Sequence, residues 1–177
     1  MSAWGIDGKV PERVGNAHQL MAPYESFRTA SREMVVAITT QKRFEKLCTL
    51  AEFAHLRDRP EYATQASRNK HRATLCPEVE AILMTQPVDY WLDHFFRLGL
   101  PAAPVNTLDE IGNHPHVKQR GSLIEVEYPP GSGNRVRVPG VPWRDVASKR
   151  PLRGPPSVGQ HTAEVLAQFG IRLPAGK

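Results

Sequence analysis

The sequence predicts an α+β fold, and three observations carry that reading. Leu123 to Tyr128 alternates, with Ile124, Val126 and Tyr128 on one face and Glu125 and Glu127 on the other. After a Pro/Gly/Ser turn, Arg135-Val136-Arg137-Val138 alternates in the same way, so the two stretches read as a hairpin or adjacent strands. Trp91, Phe95 and Leu98 recur at i, i+4 and i+7 and are closed by Gly99, the pattern of an amphipathic helix ending in a left-handed C-cap. Met34 to Ile38 is an apolar run of strand length, and a helical spacing follows it at once.

The elements follow in chain order. In the first 22 residues Gly5, Gly8, Pro11 and Gly15 break any period, so this stretch reads as a linker. From Gln41 a helix is expected, with Phe44, Leu47, Cys48 and Ala51 on its buried face. Asp58-Arg59-Pro60 interrupts the chain. Ser67 is expected to cap a helix through Cys76, after which Pro77 begins a new turn carrying Val79, Ile82 and Leu83. Pro87 stands near the start of the Trp91 helix. Leu100 to Val105 is extended. Asn106 or Thr107 caps a short helix through Ile111, and His114-Pro115 starts another. A proline-rich connection over 139–158 leads to a last helix from Thr162, with Val165, Leu166 and Phe169 facing inward and Gly170 ending it.

Composition narrows the classes. The 177 residues carry 23 Lys and Arg against 18 Asp and Glu, a formal charge of +5. With 40% hydrophobic and 23% charged residues, this is the composition of a folded, soluble chain. The basic residues are spread out. Their densest stretch, Arg68-Asn69-Lys70-His71-Arg72, reads as the solvated start of a helix, and no nucleic-acid partner is expected. No apolar run approaches the roughly 20 residues of a membrane span. Met1 to Gly5 has no apolar signal core, and Asp7 and Glu12 follow closely. The expectation is a cytoplasmic protein with no membrane partner. Cys48 and Cys76 sit in apolar stretches and read as buried, reduced thiols.

The residues alone yield no active site. Cys48 and His55, or His71 and Cys76, lack the spacing of a zinc knuckle, so no metal is expected. There is no G-x-S-x-G elbow, P-loop or G-x-G-x-x-G cradle, and Gly131-Ser132-Gly133 lies between strands as a turn.

Particular strings say more. Pro155-Pro156-Ser157-Val158-Gly159-Gln160-His161-Thr162-Ala163-Glu164-Val165-Leu166 resembles the C-terminal signature of the class III CoA-transferases. That family includes formyl-CoA:oxalate and carnitine CoA-transferases and α-methylacyl-CoA racemase. Arg120-Gly121-Ser122-Leu123-Ile124-Glu125-Val126-Glu127-Tyr128-Pro129 is similar to a strand of that family, and Gly99-Leu100-Pro101-Ala102-Ala103-Pro104-Val105 to one of its turns. Arg13-Val14-Gly15-Asn16 and Ala22-Pro23-Tyr24 resemble the start of its small domain. The motifs stand in the family's order over residues 13 to 171.

The resemblance implies an α/β small domain plus a C-terminal return segment holding a β-hairpin and a terminal helix. The expected partition is a linker over 1–22, the small domain over 23–112 and the return segment over 113–177. It also implies that the CoA-binding domain and its catalytic aspartate precede residue 1, so no catalytic residue is assigned here. Coenzyme A is a substrate of the intact enzyme and no cofactor is expected. The implied partners are an acyl-CoA, a carboxylic acid, and the absent N-terminal half or a second copy in a homodimer. In oxalate-using members a glycine-rich loop closes over the thioester just before the small domain. Gly15, Asn16, Ala17, His18 and Gln19 occupy that position and are the candidate substrate-binding residues, with one glycine where those members have several. Thr29-Ala30-Ser31-Arg32 departs from the family's Thr-x-Asp-Gly hairpin tip. The alternatives are a non-catalytic interaction module, which the last helix would serve if left uncovered, and a racemase-like enzyme fragment.

Overall fold

The computed structural model describes residues 5, 6, 8, 10, 12–140 and 154–171, which form two compact units, Met1–Val105 and Asn106–Lys177. The first unit is built on a three-stranded antiparallel sheet of β1 (Tyr24–Phe27), β2 (Met34–Ala37) and β3 (Ala102–Pro104), with β2 in the centre. Phe27 opposes Met34, which opposes Pro104, and Glu25, Val36 and Ala102 line up in the same way. Because paired residues share a face, Phe27, Met34 and Val36 enter the core together. Ser26, Val35 and Ala103 form the opposite face, where Val35 is exposed.

The β1–β2 tip is closed by local bonds of Thr29. Buried Thr29 donates its hydroxyl to the Arg32 carbonyl at 2.6 Å and accepts from the N–H groups of Ser31 and Arg32, both at 3.2 Å. A threonine making these local bonds replaces the backbone turn that Asp-Gly would supply. Ser31 then accepts from Val88 N at 3.0 Å, satisfying an orphan donor of the helix that begins there.

Helix α1 (Gln41–Leu47) is capped by Thr40, whose Oγ1 accepts from Arg43 N. It buries Phe44, Leu47 and Cys48 as expected, but ends too soon to bury Ala51; a 3₁₀ segment, Ala51–Leu56, buries Phe53 and Leu56 instead. A second 3₁₀ turn, Pro60–Tyr62, follows the break at Pro60. Helix α2 (Gln65–Lys70) is capped by Thr64 and not by Ser67, which donates its N–H to that threonine. Helix α3 runs unbroken over Arg72–Leu83 with Pro77 inside it. An internal proline costs about 3 kcal/mol. Burial of Leu75, Val79 and Leu83 on this helix contributes roughly 1.5–3 kcal/mol each and outweighs that cost.

The Trp91 helix, α4 (Val88–Leu98), is as expected, and Gly99 takes φ +65° as its C-cap. Trp91 is fully buried, gives its indole N–H to Leu83 O at 2.8 Å, and meets Phe53 edge-on at 5.6 Å. Arg68 corrects the expectation of a solvated helix start, because it is 0% exposed. Its guanidinium lies 4.1 Å from the Phe44 ring centroid and donates to Tyr62 O, Gln41 Oε1 and Gln65 Oε1. Both cysteines are buried and free, and burial raises the Cys48 thiol to about 11 and shifts Cys76 upward as well.

In the second unit Thr107 and Glu110 form a capping box for α5 (Leu108–Asn113). His114 caps α6 (Pro115–Gln119), as the His-Pro step predicts. β4 (Leu123–Glu127) and β5 (Arg135–Pro139) form the expected antiparallel hairpin, with Glu125 opposite Arg137 and Glu127 opposite Arg135. The ion pair that forms is diagonal, from Arg135 Nε to Glu125 Oε2 at 3.1 Å. Glu127 instead accepts from Gly133 N at 2.7 Å and ties down the turn. At Gly154 an added Cβ would collide with Glu127 O, so only glycine fits this approach. Residues 141–153 of the proline-rich connection lie outside the described residues.

Helix α7 (Thr162–Gln168) forms where expected and ends before Gly170 at φ +68°. Its apolar face is not buried: Val165 is 45% exposed and Phe169 75%. Among the described residues of this unit, Val126 alone is buried. A two-stranded hairpin with short helices has too little surface to enclose more. Among the described residues no helix is long and apolar enough to cross a membrane.

Candidate functional site

The five candidate residues form one loop ahead of β1. Gly15 turns the chain at φ +64°, and Ala17 N closes the turn on Val14 O at 3.2 Å. Asn16 reaches Ser26 Oγ on β1 at 2.5 Å. His18 is half-buried. Its backbone N–H bonds Tyr24 O at 2.8 Å, and its ring stacks on Tyr24 with centroids 5.0 Å apart. Leu20 N donates to His18 Nδ1 at 3.1 Å. Gln19 is exposed and reaches back to Glu12 O at 3.3 Å. Gly15 and Asn16 are also exposed, so the solvent-facing rim of the loop is Gly15, Asn16 and Gln19.

What fixes this loop is a clamp absent from the sequence reading. Arg72, the first residue of α3, donates through Nη2 to His18 O and to Met21 O, the latter at 2.5 Å. Asn69 Nδ2 donates to Gln19 O at 3.0 Å, and Gln65 Nε2 reaches Ala22 O at 3.5 Å. A charged donor on two carbonyls is worth more than a neutral pair. The loop is therefore held through its backbone as well as by the Asn16 and Gln19 side-chain bonds. The signal in the sequence was Asn69 and Arg72 three positions apart, and that spacing looks the same on a solvated helix face.

No described nucleophile faces a base within this loop. Asp58, Asp89, Asp93 and Asp109 are all exposed and belong to surface turns and helices. Asp7 lies outside the described residues. Among the described residues no group of three or more His, Cys, Asp or Glu is placed to hold a metal. The loop offers amide and imidazole hydrogen-bonding groups, chemistry suited to orienting a polar substrate and not to attacking it.

Comparison with known proteins places this architecture. The model of CoA-transferase family III matches residues 1–162. An acyl-CoA transferase of Fusarium pseudograminearum is 33% identical over 170 residues, covering 96% of this chain and 37% of that protein. A succinate–glutarate CoA-transferase of Agrobacterium fabrum is 31% identical over 93% of this chain and 41% of its own length. A crystal structure of a CAIB/BAIF family protein from Brucella suis superposes with a TM-score of 0.71 at 28% identity, over 95% of this chain and 43% of that one. The chain thus spans about two fifths of the length of these relatives. On the match across most of its length, the chain belongs to CoA-transferase family III.

Proposed function

We propose that this chain is the small-domain and return-segment part of an acyl-CoA transferase that moves CoA between carboxylic acids. The observation that carries the reading is the family match over residues 1–162, set against coverage of only 37% and 41% of two transferase relatives. In this reading the linker is 1–22, the small domain 23–112 and the return segment 113–177. The nucleophilic carboxylate and the CoA site come from polypeptide outside these residues, and a carboxylate nucleophile of this kind would form a covalent acyl intermediate. The exposure of every described Asp supports that assignment. Gly15, Asn16, Ala17, His18 and Gln19 then face the reacting thioester, with Arg72 holding their backbone in place. Coenzyme A is substrate and no resident cofactor takes part. The complete enzyme is a cytoplasmic homodimer.

The test mixes the 177-residue chain with succinyl-CoA and glutarate and follows thioester exchange. The expected result is no exchange. Exchange by the chain alone would overturn the placement of the catalytic half elsewhere.

A second reading is an interaction module. It is favoured by exposed Val165, Phe169 and Ile171, and by a cleft of about 390 Å³ formed between the 156–162 turn and Val165 and Leu166. Exposed apolar clusters of this kind mark contact surfaces. Self-association lost on Phe169→Ser supports it, and a monomer at all concentrations sinks it.

A further inference from the structure

A cleft of about 330 Å³ opens between α1 and the end of α4, lined by Thr40, Lys42, Arg43, Lys46 and Gly99. Three cations line it, and no carboxylate does. Among the described residues none of the three makes an ion pair. Their hydrogen bonds go to neutral oxygens: Arg43 Nη1 donates to Thr39 Oγ1, and Lys46 Nζ donates to Leu98 O at 2.8 Å. These bonds hold both groups in place; the last carbonyl of α4 offsets part of the Lys46 charge, and each group keeps donors to spare. Lys42, the third cation, is exposed and has no described partner. Glu45, the acid of the same helix, accepts from Gln41 Nε2 at 3.3 Å and does not line the cleft.

With three cations and no carboxylate in its lining, the cleft offers an entering anion attraction without a lining counter-charge to displace. A charge of three favours a multiply charged ligand over a monocarboxylate, and ammonium and guanidinium donors suit tetrahedral oxyanions. We propose that this cleft binds the phosphate of a phosphate-bearing ligand, either free phosphate or the phosphate groups of a nucleotide. The proposal stands whether or not the chain takes part in acyl transfer.

The experiment titrates the 177-residue chain with inorganic diphosphate by calorimetry at low and high salt, with 3′,5′-ADP and succinate in parallel. Lys42→Glu is compared with Lys70→Glu, which makes the same charge change at an exposed position on α2 outside the cleft; circular dichroism checks that both fold. Expected is saturable diphosphate binding that weakens with salt, falls about tenfold in Lys42→Glu and is unchanged in Lys70→Glu. Tighter binding of 3′,5′-ADP than of diphosphate supports a nucleotide ligand, and equal binding supports free phosphate. The proposal is overturned by absence of saturable binding, by equal loss in the two variants, or by succinate binding as well as diphosphate.

Discussion

Arg68 offers the sharpest test of how the first unit is held together, because three substitutions separate its roles. The side chain is 0% exposed and, among the described residues, makes no ion pair, with Glu45 acting on it only at Coulombic range; its partners are Tyr62 O at 2.7 Å, Gln41 Oε1 and Gln65 Oε1 at 2.9 Å each, and the Phe44 ring. Arg68→Ala strands a buried carbonyl, costing about 1–3 kcal/mol. It also removes an aliphatic stem worth about 0.8 kcal/mol per methylene. Against these stands relief from burying a charge, which cost the wild type several kcal/mol. The stem, two methylenes at about 0.8 kcal/mol each before any cavity cost, is what should make Ala lose about 1.6 kcal/mol more than a variant that keeps the stem volume. Arg68→Met keeps the stem volume and removes the charge, so the expected loss is about 0–1.5 kcal/mol. Arg68→Lys keeps a charge that can be given up. Burial lowers the pKa of the native arginine, and a lysine there is lowered in the same direction. The unfolded state then binds more protons than the folded state between the two pKa values. Stability of this variant relative to wild type must therefore rise with pH up to the ordinary lysine range, by about 1.4 kcal/mol per unit of depression. Urea unfolding followed by circular dichroism from pH 7 to 10 measures all three. Equal losses for Met and Ala, or a Lys variant whose difference from wild type is flat with pH, would refute the reasoning.

Glu80 accepts from Arg28 through Nη2 at 2.7 Å, Nε at 3.0 Å and backbone N at 3.1 Å, and these bonds hold its carboxyl below its ordinary 4.5. The stabilisation is present above pH 4.5 and lost as pH falls through the lowered value; Glu80→Gln should lower the urea midpoint at pH 7 and leave a shallower acid limb. Arg72→Ala should release the candidate loop. Hydrogen exchange at residues 16–22 should quicken about tenfold or more while core amides of α4 stay protected, and uniform protection would deny the clamp. Gly99→Ala forces a side chain to φ +65°, at an expected cost of about 1–2 kcal/mol by thermal unfolding; a neutral substitution would mean that the C-cap relaxes.

Local signals made much of the fold legible. The Trp91–Phe95–Leu98 stripe closed by Gly99, the Glu/Arg hairpin and the His114-Pro115 start each carry their cause within a few residues, and each formed. The failures had non-local causes. Pro77 reads as a break by propensity, yet burial of Leu75, Val79 and Leu83 draws one helix through it. Arg68 reads as solvated, and only the meeting of α1, α2 and the Tyr62 turn makes its buried place. The candidate loop rests on resemblance alone, and its clamp had no local signal because Arg72 and Met21 stand 51 positions apart.

The last helix argues differently. Val165, Leu166 and Phe169 have the spacing of a buried face, and the helix forms, yet Phe169 is 75% exposed. A seven-residue helix is marginal by propensity alone, so an apolar stripe on it serves packing or nothing. The described residues do not supply that packing: in the second unit only Val126 is buried. Pattern and exposure agree if the stripe is complementary to a surface outside the described residues. Phe169→Ser should then leave the stability of the isolated chain within about 0.5 kcal/mol of wild type, because it removes no buried contact. The same change should weaken any assembly that covers this helix. A large loss of stability in the isolated chain would mean that the face is already covered, and the reading of the second unit as an uncovered segment would fail.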